Sequence, residues 1–479
     1  MPTVCGRRAA STHHGTNRII MSDLSKVSPA TRNVSGLIAG ALGTPMSDRL
    51  IEKAKHHIVD TVAAMVSGAA LDVGKRALAT APVFAGQEQA TLIGTGQRLP
   101  VFSAAMLNAM LAHADETDDS HEKSVFHPGC AVVPAALAMA QLQRRNGSEL
   151  IAAVAAGYDV GARVLEEMGA MALNHRGRST HAVGALFGAG AAAGVLAGFD
   201  EAAARRLLSY LGHEVSGLSC WMVDHDHVQK AYVFGAMAAK NAIFATLLTQ
   251  AGWTGVDDVL HGDRTLFVAF GRGEKGRTLD EGMTLGDEIL SSNIKKWCVG
   301  SPVQAPLDSL EALRDQLPSP DRIRAVTVEI QANEAFIVDG RDMPNISLQH
   351  LSALYIVDRG LTFESAHDFA RMADPVVAAL RARIKLVPSE ALQRSGGRQA
   401  IVTIECDDGR TLSHHTRAVR GTWGNPMPRE EVDAKARDLI VPLLGHDRAQ
   451  TLLSRLWRLE SLDAHAVDQL ADLTIVGGA

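Results

Sequence analysis

"SDRLIEKAKHHIVDTVAAMVSGAA", residues 47–70, decides what kind of fold this chain adopts. Ser47 offers a hydroxyl where a helix N-cap needs an acceptor. After it, Leu50, Ile51, Ala54, Ile58, Val62, Met65 and Val66 recur with the helical period and form one apolar stripe. The spacing repeats in "PGCAVVPAALAMAQLQRRNGSE" (128–149) and "SELIAAVAAGYDVGARVLEEMG" (148–169). Gly147 marks the stop between them and Ser148 the predicted cap of the second. Helical periodicity dominates to about residue 290, with one exception, "ATLIGTGQRLP" (90–100), which reads as a small hairpin.

From about residue 320 the period changes. "RIRAVTVEIQA" alternates, "RARIKLVPSE" is short and β-branched, and "QAIVTIECDDGRTLSHHTR" is a hairpin with Asp408-Gly409 at its turn. "NISLQHLSALYIVDRG" and "FESAHDFARMAD" read as helices between them, and after "NPMPREEVDAKARDLIVPLLG" the helical pattern returns. The predicted fold is mainly α. A large all-helical domain is built from residues 26–290 and 426–479, with a smaller α+β domain at 291–425. Residues 1–25 are expected to be a disordered extension ahead of a more natural start at Met21.

The bulk numbers narrow the function. The chain has 479 residues, 46% hydrophobic but only 4% aromatic, so small residues suit close helix packing. A net charge of −6 with both signs interspersed leaves no basic footprint for nucleic acid. Five cysteines (Cys5, Cys130, Cys220, Cys298 and Cys406) are scattered, without a CxxC pair, which points to a reducing cytoplasm. The glycine-broken "HAVGALFGAGAAAGVLAGFD" (181–200) predicts a buried helix rather than a membrane span.

Ionisable residues concentrate in "HADETDDSHEKSVFHPG", 113–129. Three readings compete: a divalent-metal site using His121, His127 and nearby aspartates, a solvated turn, or an acid/base site. Buried helical flanks favour the last, because desolvation and crowding move carboxylate and imidazole pKa values toward neutrality. In "SCWMVDHDHVQKAYVFG" (219–235), the alternating Asp224, His225, Asp226 and His227 read equally as a surface loop. Lys230, at the edge of a small-residue helix, is a candidate carboxylate binder or base. Lys295 and Lys296 lead into a turn, and Arg341 precedes a helix bearing His350. No phosphate loop, dinucleotide fingerprint or nucleophile elbow is present. This inventory suits cofactor-free and metal-free proton abstraction beside a carboxylate.

"HADETDDSHEKSVFHPGCAVVPAALAMA" resembles the MmgE/PrpD family pattern H-x-x-D-x-D-D-[ST], a short gap, then H-P-[SG] and a helix. "GYDVGARV", "NHRGRSTHAVGALFGAGAAAGVLAGFD", "DHDHVQKAYVFGAMAAKNAIFATLLTQAGWTG", "SNIKKWCVGSPVQAPLDSL" and "NISLQHLSALYIVDRG" resemble its later blocks, in family order. The resemblance implies a helical domain with an α+β lid, a site between them, and a homodimer. It also implies metal-free proton transfer on di- or tricarboxylates, as in 2-methylcitrate dehydratase, cis-aconitate decarboxylase or iminodisuccinate epimerase.

Carried over by position, it implies Glu116 (where the family has aspartate), Ser120 and His127, then Lys230 and Lys295. The second family histidine falls on Ser179, with His181 two residues on; Gln304 replaces a common histidine and His350 a common tyrosine. The catalytic set expected is therefore His127, Lys230, Ser120, Glu116, His181 and His350, with Lys295, Arg341, Gln304 and Asp118 holding substrate. The expected function is a dehydratase-like lyase for a small polycarboxylate. An epimerase, a decarboxylase and a catalytically silent homologue are the alternatives.

Overall fold

The computed structural model describes residues 26–223, 226, 228–271 and 278–476; the expected extension at 1–25 lies outside them. Ser47 caps the Asp48–Gly68 helix, its hydroxyl accepting the Leu50 N–H at 3.2 Å. Leu50, Ala54, Ile58, Val62 and Met65 are all buried by it. The next cap differs from expectation. Asn146, not Ser148, starts the Gly147–Met168 helix. Its side chain accepts the Glu149 N–H at 3.0 Å while Glu149 accepts the Asn146 N–H at 2.8 Å. The reciprocal pair satisfies two orphan donors at once, which a lone Ser148 hydroxyl cannot match.

Glycine spacing explains how the helices meet. The Gly147–Met168 and Thr180–Leu196 helices cross with glycines face to face. A Cβ on Gly188 would lie 2.7 Å from the Gly157 carbonyl oxygen, and one on Gly157 2.8 Å from that of Gly188. Backbones approach this closely only where no side chain intervenes.

Strands are few. β1 (Ala90–Thr91) and β2 (Arg98–Leu99) form the small antiparallel hairpin. β3 (Ile323–Gln331), β4 (Ile384–Ser389), β5 (Ala400–Cys406) and β6 (Thr411–Thr416) form one sheet in the order β4-β3-β5-β6, parallel only between β3 and β4. Gly409, at φ 84°, makes the β5–β6 turn. "FESAHDFARMAD" is not one helix: it divides into Phe363–His367 and a 3₁₀ turn, Phe369–Ala373. Asp368 separates them in an extended conformation, its carboxylate capping the Ala370 N–H at 2.8 Å. An aspartate that can cap competes with continuing the helix.

Two large apolar cores result. One combines side chains from Ala30 to Cys298 with others from Met427 to Ala471. The other runs from Trp297 to Val419 and packs the four-stranded sheet against the Leu348–Asp358 and Gln304–Ala312 helices.

Candidate active site

Apart from the exposed Glu122 and Lys123 at its turn, most of the 113–129 segment is buried, and its two adjacent aspartates divide the labour. Asp119 holds the scaffold: it accepts the Gly129 N–H at 2.8 Å, capping the Gly129–Gln143 helix, and bonds His57 Nδ1 at 2.6 Å and the Tyr158 hydroxyl at 2.5 Å. Asp118 faces the other way and bridges two imidazoles, His113 Nδ1 at 2.9 Å and His127 Nδ1 at 3.0 Å. Burial raises the Asp118 carboxyl, but the two imidazoles overcome that and hold it well below the usual carboxylate range. An ionised Asp118 only accepts, so both Nδ1 atoms carry hydrogens and the Nε2 of His127 is left as a lone-pair acceptor. Burial lowers the His127 pKa; Asp118 opposes this, and Lys295 deepens it.

Backbone geometry fixes the loop. His121 N–H donates to Phe126 O at 2.8 Å, folding 121–126 into a tight turn in which Val125 takes φ 52°. A β-branched residue at positive φ is costly and stays only where its surroundings demand it. Here the Thr180 hydroxyl clamps the Val125 carbonyl at 2.6 Å.

Two lysines stand beside the histidines. Glu116 pairs with Lys230 and lies 3.7 Å from Lys295 Nζ, which also bonds the Glu116 carbonyl at 2.7 Å and lies 3.7 Å from Asp118. Lys295 is placed because Ser120 and Asn293 exchange backbone hydrogen bonds at 2.9 and 2.8 Å, zipping the two segments together. Lys230 lies in the short Val228–Ala231 helix, directly before a π-helical turn, Tyr232–Ala236. Such a widened turn displaces the side chains around it and recurs at functional sites. It sets Phe234 against His181, stacked at 3.7 Å between centroids, with His127 at 5.3 Å and His113 at 4.3 Å. Burial, then His127 and Lys230, depress His181 well below the ordinary imidazole value.

His127, His181, Lys230, Glu116, Lys295 and Asp118 therefore converge, with Asp118 behind His127 and no exposed surface of its own. Ser120 joins through its backbone. Two expected residues stand apart, and a third, Arg341, lies on a cleft shared with Asp115. The Gln304 amide is spent on the backbone of Trp297 and Val299, at 2.7 to 3.1 Å, which bends the loop after Lys295. His350 is fully buried in the smaller unit with neither ring nitrogen hydrogen-bonded. Burial, then Arg381 and Arg371, press its pKa down to about 4. Arg341 bonds the Ile337 carbonyl at 3.3 Å and lines a cleft of about 880 Å³ together with Asp115 and His367. Asp226 is exposed, and its neighbours Asp224, His225 and His227 lie outside the described residues.

His113, Phe234 and His367 are site members absent from the expected set, as is Trp221, whose ring lies edge-on to His181 at 5.4 Å and to Phe234 at 4.7 Å. His113 opens the polar segment and was recoverable from it; the aromatic wall and His367 carry no local signal. His113, Asp118 and His127 bring ligand atoms within 4.8 Å of one another, as do His121, Glu166 and Glu288, so ion-sized cages of the right donors exist. The competing metal reading paired His121 with His127; the turn sends those rings to different clusters.

Comparison with known proteins follows the same geography. The profile of the MmgE/PrpD N-terminal domain matches residues 33–278 and that of the C-terminal domain residues 297–459. Cis-aconitate decarboxylase of Homo sapiens is 24% identical over 453 residues, covering 90% of this chain and 92% of that protein. The Aspergillus terreus cis-aconitate decarboxylase is 24% identical over 435 residues, covering 84% and 87%.

Proposed function

Because the chain belongs to the MmgE/PrpD family, we propose that it is a lyase acting on a small di- or tricarboxylate by moving a proton at a carbon beside a carboxylate. The observation that supports this most is the buried Asp118–His127 pair set against Lys230 and Lys295. His127 Nε2 accepts the proton. Lys230 and Lys295 hold the adjacent carboxylate and stabilise the charge that develops on it. Glu116 occupies the space between the lysines until a substrate carboxylate replaces its pairing. In dehydration, a cationic group beside the substrate, such as the Lys230 ammonium, protonates the departing hydroxide. In decarboxylation, the C–C bond breaks, its electron pair stays with the substrate carbon as CO₂ leaves, and that carbon takes a proton from the same ammonium. Similarity to cis-aconitate decarboxylases makes cis-aconitate the first substrate to test. The smaller unit acts as a lid, the reaction runs without a metal, and the working species is a homodimer.

Incubating the protein with a panel of di- and tricarboxylates in deuterated water, followed by NMR, is the test. Label at the carbon beside a carboxylate, with alkene or CO₂ formed, is expected; label with inverted configuration and no product would indicate an epimerase instead. No exchange across the panel would overturn the reading. Activity should survive chelation, and a stoichiometric metal on elemental analysis would assign the His113–Asp118–His127 trio to it.

A further inference from the structure

The five-residue helix Phe363–His367 is anchored at both ends on the larger unit, although its Ala366 belongs to the smaller core. At its start the Phe363 N–H donates to Asp438 at 2.7 Å and the Phe363 ring packs on the larger core. At its end His367 Nε2 lies 2.7 Å from Asp115 Oδ2. His367 Nδ1 lies 2.8 Å from the Phe363 carbonyl, which can only accept. Two acceptors, one at each nitrogen, are satisfied together only by the doubly protonated ring. Asn345 Nδ2 approaches Nε2 at 3.3 Å, but a carboxylate at 2.7 Å takes precedence as the stronger, charge-assisted partner.

Asp115 is the residue before Glu116. Its carboxylate also accepts the Thr117 N–H at 3.1 Å and the Thr117 hydroxyl at 2.5 Å, so it shapes the turn on which Glu116 and Asp118 sit. We propose that His367 is a positioning residue: an imidazolium contributed by the smaller unit that pins Asp115 and thereby the loop presenting Glu116 and Asp118. The charged groups around the pair are Asp438, from the Arg429–Leu444 helix, Lys435 of the same helix beyond Asp115, and, across the cleft that the pair lines, Asp72, Asp226, Arg341 and Asp342. Burial lowers the His367 pKa, but Asp115 outweighs it and the net shift is upward; the Asp115 carboxyl is lowered despite burial. The sign follows. The His367 contribution is complete below the ordinary imidazole value of about 6.5 and is lost as pH rises through the raised one. Asp115 sets the acid limit, its contribution lost as pH falls through its depressed value.

This inference rests on the reading of 113–129 as the site of chemistry, but its test does not require a substrate. Amide hydrogen exchange of the peptide spanning 114–121, corrected for intrinsic rates, is compared in the wild type, His367→Gln and His367→Lys at pH 6.5 and 9.5. Wild-type protection should fall at least tenfold between the two values. The glutamine variant should be deprotected at both, and the lysine variant should keep its protection at the higher pH. The His367 ring should titrate above 6.5 by NMR and fall back in Asp115→Asn. Equal protection in the wild type and the glutamine variant, or a ring titrating at or below 6.5, overturns the proposal whether or not a substrate has been found. If turnover is established, the glutamine variant should lose kcat more than it raises KM and lose the alkaline limb of its pH profile.

Discussion

At the scale of single residues, the Asp118–His127 hydrogen bond at 3.0 Å makes the most specific claims. His127→Gln should lower turnover by about 10²–10⁴-fold, the usual worth of a general base, with the melting temperature little changed. Because burial depresses the His127 pKa, the wild-type profile should lose activity only as pH falls below about 6.5, when the imidazole charges. Asp118→Asn should keep the ring in place but release its tautomer and lower kcat by at least about 10²-fold in steady-state kinetics. The contrasting residue is His350, whose two nitrogens face the smaller core unbonded. Leaving buried polar atoms unsatisfied costs on the order of 1–3 kcal/mol, so His350→Phe should be neutral or stabilising by denaturant titration and leave kcat intact. A stable variant without activity would mean that the ring reaches substrate after all.

Among elements, the crossing of the Gly147–Met168 and Thr180–Leu196 helices is the most exacting. Gly188→Ala improves helix propensity by up to about 1 kcal/mol, yet it drives a methyl to 2.7 Å from a backbone oxygen that cannot step aside. Overpacking of this kind costs roughly 1–3 kcal/mol, so a net loss of about 1–2 kcal/mol in urea unfolding is expected. Periodicity made such elements legible. The stripe after Ser47 and the alternation from Arg322 to Ala332 identified helix and strand, and the Asp408-Gly409 pair identified its turn. Local competition was less legible: Asn146 outbid Ser148 through a glutamate three residues on, and Asp368 cut a helix that its apolar neighbours favoured. The site was half legible for the same reason. Charged residues crowded into 113–129 announce chemistry, but Phe234 and His367, which pack against and brace them, lie far along the chain and arrive only by folding. Gln304 was less legible, because a polar side chain at a helix start looks the same whether it meets a ligand or its own backbone.

For the whole molecule, what matters is which parts of the chain close which core. The larger core needs side chains both from the stretch between Ala30 and Cys298 and from the stretch between Met427 and Ala471. Lys55, deep in the Asp48–Gly68 helix, reaches across to the Trp457 carbonyl at 3.0 Å and to Glu460 at 3.0 Å. Lys435 does the same to Asp60, at 2.6 Å, and to the Thr117 carbonyl, at 2.9 Å. The smaller core, by contrast, is assembled from one continuous run, Trp297 to Val419. During synthesis on a ribosome, that run emerges whole while the helices made before it still lack their last partners. The inserted unit should therefore fold first, although it is encoded later, and the long alanine-rich helices should wait with apolar faces open to chaperones. Nascent chains arrested after residue 426, with enough linker to clear the exit tunnel, test this under limited proteolysis. Protection confined to 297–419 is expected, spreading to residues 47–200 once 427–471 have emerged. Early protection of the helices would show that they close without their final strand of contacts.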